Sequence, residues 1–295
     1  MINTLPMLLL SILISSSLVI FISYSFLILY LPTRFFHIAH AVVITLGAYF
    51  TYLFFIQLQL SLFIAIPLAI IFSTLIGVLC ELIVYKPMRE KNLPPLAYLI
   101  ASIGLYVVLQ NIISLVSGDD TKTLRTGEVR VGNEFLGAYI TDIQIIIIAV
   151  SLVLFILVLL FNKYSKTGKA IRAVSANPEL SNIFGINSNK IILISFAIGS
   201  ALGSVAGILS AFDTNMTPTM GFNLLLYGVV AMIIGGVGSY KGLIGGALLV
   251  ASAQHLAAYY IDTKWMDAVA YIILILFLIW KPLGFSGQRL KKVEI

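Results

Sequence analysis

The chain is 295 residues long, with 60% apolar residues and only 10% charged ones. Soluble domains run at roughly 45–50% apolar and about 25% charged, so most of this surface cannot face water. The formal charge of +6 does not point to nucleic acid, because the basic residues gather in short loops between apolar runs.

Apolar runs of about 18 residues or more recur along the whole length, which indicates several membrane-crossing helices rather than one anchor. The expected fold is an all-α polytopic membrane protein, a single transmembrane domain over residues 1–295. It would be a bundle of about eight or nine transmembrane helices with short or broken members and a short cytoplasmic helix. Hydropathy places the helices near 8–30, 38–57, 61–85, 95–117, 143–162, 190–211, 223–237, 242–260 and 267–280. The stretches 223–237 and 267–280 are short, so tilt, a protein-lined cavity or a broken helix is expected there. The first run, Leu8 to Tyr30, has no basic segment before it and no Ala-x-Ala-like site after it. It is also too long for the apolar region of a signal peptide, and reads as retained. Cys80, the single cysteine, lies in an apolar run, so no disulfide within the chain is possible and no compartment follows.

Loop charges set the expected orientation. Lys86, Arg89 and Lys91 follow the third span; Lys163, Lys166, Lys169, Arg172 and Lys190 follow the fifth; Lys281, Arg289, Lys291 and Lys292 form the tail. The loop over 118–142 is instead acidic, with Asp119, Asp120, Glu128, Glu134 and Asp142. Nine crossings with the N-terminus outside and the C-terminus cytoplasmic satisfy all four, and put Arg34 and Lys241 inside as well. Within the acidic outer loop, Glu128-Val-Arg-Val, Gly132-Asn133 and Glu134-Phe-Leu alternate like a small β-hairpin turning at Gly132-Asn133. It could be a solvated spacer or a docking surface for an extracellular partner.

The segment 163–190 is the most informative. Thr167-Gly-Lys169 invites a test as a phosphate-binding loop, but Lys163 stands where the first glycine is needed and Ala170 follows the lysine. Both requirements fail. The residues instead spell two short helices. Asn177 suits an N-cap, Pro178 the first helical position, Glu179 the positive helix end and Gly185 the stop. Leu180, Ile183 and Phe184 then form one apolar stripe on about two turns. So short a helix is marginal alone, and its stripe must be covered by the bilayer surface, by the protein's own loops, or by a cytoplasmic partner's groove.

Several stretches together resemble the LivH/LivM-type permeases of branched-chain amino acid importers, a family that includes urea and short-amide systems. They are Gly168-Lys-Ala-Ile-Arg-Ala-Val-Ser-Ala-Asn-Pro-Glu with Phe184-Gly-Ile, Glu81-Leu-Ile-Val-Tyr-Lys-Pro-Met-Arg89, Gly235-Gly-Val-Gly-Ser-Tyr-Lys-Gly-Leu-Ile-Gly-Gly-Ala247 and Lys281-Pro-Leu-Gly-Phe285. They run in order across nearly the whole chain. One departure stands out: where the family usually reads Asn-Phe-Ala-His-Gly after the first span, this chain has His37-Ile-Ala-His40-Ala41. The resemblance implies that 163–190 is the cytoplasmic coupling segment, with Gly168, Arg172, Asn177, Pro178, Glu179, Leu180, Ile183, Phe184 and Gly185 serving an ATPase. It implies a second permease subunit (a homologue), two cytoplasmic ATPases and an extracytoplasmic solute-binding protein, in a bacterial plasma membrane. ATP and magnesium would sit in the ATPases, leaving this chain without a cofactor.

Small residues four apart let membrane helices approach closely. Gly199, Gly203 and Gly207, and Gly238, Gly242 and Gly246, have that spacing and read as helix packing. Ionisable groups inside apolar spans are costly and are candidates for the solute path: His40 and His255, with Gln110, Asn111 and Gln254 as polar companions. Glu81 lies near a basic loop and reads as the partner of Lys86 or Arg89. No nucleophile constellation or metal-ligand set is visible, so no enzymatic activity is expected of this chain alone. The competing reading is a stand-alone channel or secondary transporter, which needs intramembrane carboxylates for a coupling ion; a purely structural membrane protein is disfavoured by the glycine repeats and intramembrane histidines.

Overall fold

A computed structural model describes residues 4–126, 132–135 and 137–286. In chain order the helices are α1 (Thr4–Thr33), α2 (His40–Tyr52), α3 (Leu62–Cys80), α4 (Lys86–Glu90), α5 (Pro95–Ser117), α6 (Asp142–Tyr164), α7 (Lys166–Ala176), α8 (Pro178–Ile183), α9 (Ser188–Asp213), α10 (Met220–Gly235), α11 (Tyr240–Tyr260) and α12 (Met266–Trp280). A two-stranded antiparallel sheet, β1 (Asn133–Phe135) and β2 (Ala138–Ile140), precedes α6. Among the described residues, eight helices are long and apolar enough to cross a membrane, and α10 is a shorter apolar one. The protein is a polytopic all-α membrane protein.

These helices coincide with the apolar runs of the sequence, with two extensions at turns that hydropathy does not resolve. The third span reaches Glu90, because α3 continues through a π-helical turn, Glu81–Tyr85, into α4. The last span gains a 3₁₀ turn, Thr263–Trp265, at its start. α10 remains short, 16 residues or about 24 Å at 1.5 Å per residue, against a hydrocarbon core of about 30 Å.

The hairpin exists, but its turn is elsewhere than Gly132-Asn133. Asn133 opens β1 and pairs with Ile140, and Phe135 pairs with Ala138. The chain reverses instead at Gly137, whose φ of +81° is a conformation glycine adopts without steric cost. Residues 128–131 lie outside the described residues.

The chain folds into two compact units. One comprises Ser25–Arg125 and Val158–Leu225. Its centre is α9, packed against α2 and α3 through residues with little or no side chain. A methyl added at Gly77 would lie 2.8 Å from the Ser200 Cβ, and one at Gly203 would lie 2.8 Å from the His40 ring. At Gly199 it would meet the Ser25 carbonyl at 2.9 Å, and at Gly207 it would collide with the Ile44 carbonyl. Two serine hydroxyls in this seam are satisfied, Ser73 bonding Ser204 at 2.7 Å and Ser195 the Ile191 carbonyl at 3.0 Å, while the Ser200 hydroxyl facing Gly77 is buried without a partner. At the other end of the unit, Lys122 and Met216 exchange backbone hydrogen bonds of 2.9 and 2.8 Å, and Arg125 donates to the Phe212 carbonyl at 3.0 Å.

The second unit comprises Met1–Tyr24, Thr126–Leu157 and Leu226–Leu290. Val19, Val230, Ala231, Ile234, Ala247, Val250 and Ala270 form its apolar core. Here α10 and α11 meet backbone to backbone. A methyl at Gly242 would strike the Gly235 carbonyl, and one at Gly246 the Ala231 carbonyl. Gly238 lies in the turn between them, with φ of +92°.

The seam can be tested directly. Gly207→Ala places a methyl against the Ile44 backbone, which cannot rotate away, so stability in mixed micelles should fall by about 1–3 kcal/mol, the usual cost of overpacking. Gly104→Ala, with nothing within 4 Å of the added methyl, should leave the midpoint unchanged. An unchanged midpoint for Gly207→Ala contradicts the close approach.

Candidate functional site

The segment between α6 and α9 makes a capped helical elbow. Ser165 caps α7, its Oγ accepting from the Gly168 N–H at 2.8 Å. The Gly168 donor at that helix end is therefore answered from within the chain, in a segment that already lacks the spacing of a phosphate-binding loop. Gly168 is buried against the α6 backbone, where a methyl would lie 2.6 Å from the Asn162 Cα. Ile171 and Val174 on the same face sink into a cluster with Leu29, Phe35, Cys80, Tyr85, Ile191, Ile192 and Phe196. Arg172 points the other way and is exposed.

Asn177 then caps α8, its Oδ1 accepting from the Leu180 N–H at 2.9 Å, with Pro178 following. The stop is a Schellman motif. Ile186 N–H donates to the Ser181 carbonyl at 2.9 Å and Gly185 N–H to the Asn182 carbonyl at 3.0 Å. Gly185 has φ of +82°, where a Cβ would be strained. Ser188 ties the elbow to α9. Its hydroxyl donates to the Pro178 carbonyl at 2.8 Å, and its N–H to Asn182 Oδ1 at 2.9 Å.

On the outer face of this clamped turn the apolar stripe stands open. Leu180, Ile183 and Phe184 are 49, 80 and 76% exposed. The protein's own loops do not cover it. Glu179 and Gly185 are exposed beside it, while Asn177 and Pro178 are half-buried at its base.

Two interactions fasten the elbow to the bundle and a third lies beside them, and sequence reasoning missed two of the three. Arg34 donates to the Ser175 carbonyl near the α7 C-terminus, where helix carbonyls lack partners and a cation is favoured. Arg34 sits at φ +58°, a costly conformation for a residue with a Cβ, and only its position after the first span hinted at it. Glu81, 1% exposed, is held by the Arg89 guanidinium, whose Nε donates to Asn189 Oδ1 at 2.9 Å. Of the two partners weighed for Glu81, Arg89 is therefore the one used, and Lys86 pairs with Glu90 at 3.9 Å. Finally, His37 Nδ1 bonds the Tyr85 hydroxyl at 2.9 Å, which joins the position that departs from the family pattern to the end of the π-helical turn.

The path candidates are scattered. His40 is fully buried, bonded through Nε2 to Ser25 at 3.1 Å and packed on Gly203, with Nδ1 lacking a partner. Gln110 bonds Ser114 at 3.2 Å, and exposed Asn111 back-bonds to the Val107 carbonyl at 2.7 Å. In the second unit His255 bonds Ser15 at 2.7 Å and lines an open groove of about 280 Å³ with Met7, Leu8, Ser11, Ala258 and Tyr259. Buried Gln254 neighbours it. Among the described residues, no set of three His, Cys, Asp or Glu side chains gathers as metal ligands.

Residues 8–278 match the family described as the permease component of branched-chain amino acid transport systems. The chain belongs to this family of branched-chain amino acid transport permeases. It is 32% identical to the high-affinity branched-chain amino acid transport system permease protein LivH of Salmonella typhimurium, over 85% of each chain. LivH of Escherichia coli is 31% identical over the same shares, and BraD of Pseudomonas aeruginosa 32%. Family membership accounts for the many apolar helices and gives the elbow a place in a transport permease.

If the caps define the elbow, Asn177→Ala should cost it about 1 kcal/mol, speeding amide exchange over 178–186 about fivefold. Gly185→Val should do at least as much. Hydrogen exchange of the protein in nanodiscs checks this, and unchanged protection of 178–186 contradicts it.

Proposed function

We propose that the protein is the membrane-spanning permease subunit of an ATP-driven importer for branched-chain amino acids or similar small solutes. The carrying observation is the exposed stripe Leu180–Ile183–Phe184 on a turn capped at both ends and fastened to the bundle. A soluble partner's groove fits it, in the helix-in-groove manner. Two cytoplasmic ATPases would each dock on such an elbow, one on this chain and one on a second permease subunit. An extracytoplasmic binding protein would deliver the solute. The named function of LivH and BraD supports the solute class.

Orientation follows from loops that share an end. Arg34 touches Ser175 and Arg89 touches Asn189, which gathers the loop after α1, the loop after α4 and the segment 163–190. These are basic, and the basic end is cytoplasmic. The Lys122–Met216 pairing gathers two loops at the opposite, outer end. The N-terminus is then outside and the C-terminus inside. A coupling-ion transporter is less well supported, since Glu81 is already held by Arg89.

Two measurements test this reading. In a Cys80→Ala background, Asp120→Cys should label with an impermeant thiol reagent from outside and Glu179→Cys should not; the reverse pattern overturns the orientation. Phe184→Ala removes an exposed aromatic anchor worth about 2 kcal/mol or more at an interface. It should abolish co-purification of the ATPase while membrane insertion stays normal. Wild-type association and uptake in that variant would sink the importer reading.

A further inference from the structure

The elbow is held to the membrane helices at one polar junction whose chemistry exceeds what packing requires. α3 passes through its π-helical turn with Glu81 at the first position and Tyr85 at the last. Such turns reorient the side chains they carry and recur at functional sites. Tyr85 holds His37. Glu81 has one carboxylate oxygen on Arg89, and its other, Oε2, is buried without a partner. Arg89 lies eight residues further along, so its side chain folds back toward Glu81 while Nε reaches across to Asn189 on the first turn of α9. Asn189 directly follows Ser188, which makes the two bonds that hold α8.

We propose that Arg89 is a positioning residue for transport, the fork that keeps the inner ends of α3 and α9 in register with the coupling turn; the proposal rests on the permease reading. Two donors of one guanidinium, Nη2 and Nε, hold different partners, one a buried carboxylate and one an exposed amide oxygen. A lysine's compact ammonium reproduces the charge but not this planar fork. A buried ion pair contributes little net stability compared with an apolar replacement, whereas removing one partner is severe. Its use here is geometric. When the coupling turn moves, the start of α9 moves with it through Ser188. Arg89 passes that shift to the π-helical turn, and Tyr85 passes it to His37. ATP hydrolysis without the Arg89–Asn189 contact would then move the elbow without moving the helices.

The test uses the complete importer, with its ATPases and binding protein, in proteoliposomes. Leucine uptake and ATP hydrolysis are measured in the same vesicles. Arg89→Ala strands Glu81 and is liable to fail at assembly, so the informative variants are milder. Asn189 is exposed, and Asn189→Ala leaves the ion pair in place. It should leave assembly and hydrolysis unchanged while lowering solute imported per ATP at least threefold. Arg89→Lys keeps the charge on Glu81 and should show the same loss. The double variant should be no worse than either single, because both remove one contact. An unchanged ratio in Asn189→Ala, additive losses in the double variant, or uptake and hydrolysis falling in parallel with assembly would each overturn the proposal. Failure of the wild-type chain to retain any ATPase would instead sink the permease reading.

Discussion

Helix α9 runs beside α2 and α3 with backbone against backbone, and the arrangement of the inner end depends on that seam. In hydrocarbon, apolar side chains gain little by leaving lipid for one another, so helices associate through close packing and through polar groups that satisfy each other. Gly77, Gly203 and Gly207 remove the side chains that would hold these helices apart, and Gly199 does the same against α1. Ser73 and Ser204 then bond at 2.7 Å across the gap. The seam fixes α9 along most of its length, and the Ser188–Asn189 turn therefore has a defined position from which to hold the elbow.

The polar groups at the inner end follow from that closeness. A carboxylate as buried as Glu81 is tolerable only with a cation beside it, and Arg89 reaches it because the π-helical turn sets α4 on a different face from a straight continuation. His37 stands where the family pattern usually has Asn, and its ring finds the Tyr85 hydroxyl. Its Nε2 and the Nδ1 of His40 have no partner. Unmet nitrogens in an apolar interior are costly. Among the described residues, they leave hydrogen-bonding capacity unused where the α1–α2 connection enters α2.

What could be read in the sequence was local or repetitive. Hydropathy located the helices because each must bridge the same apolar thickness. The elbow's caps were legible because Asn177, Pro178 and Gly185 act on their own helix, within four residues. What could not be read depends on neighbours distant in sequence. Arg34 meets Ser175 across 141 positions, and His37 meets Tyr85 across 48; no periodicity encodes either. The hairpin shows a local signal misleading in its own right. Gly132-Asn133 resembles a tight turn, yet pairing of Phe135 with Ala138 moves the reversal to Gly137. Of the path candidates, the sequence showed only their place in apolar spans; the bond from His40 to Ser25 and that from His255 to Ser15 each join residues distant in sequence.

A helix of six residues has too few hydrogen bonds to hold its own shape, so its rigidity is borrowed. Asn177 and the Schellman stop fix its two ends, Ser188 and Asn182 fix it to α9, and α7 fixes the approach by burying Ile171 and Val174. The Ser188 bonds and the buried Ile171 and Val174 lie on the side facing the bundle. The exposed side carries Leu180, Ile183 and Phe184 as its apolar residues, with Glu179 and Gly185 beside them. The proposed partner would therefore engage a turn braced at Ser188 and at Arg34 rather than a free loop. That division, with anchors toward the bundle and an apolar stripe outward, supports the coupling role proposed for the turn.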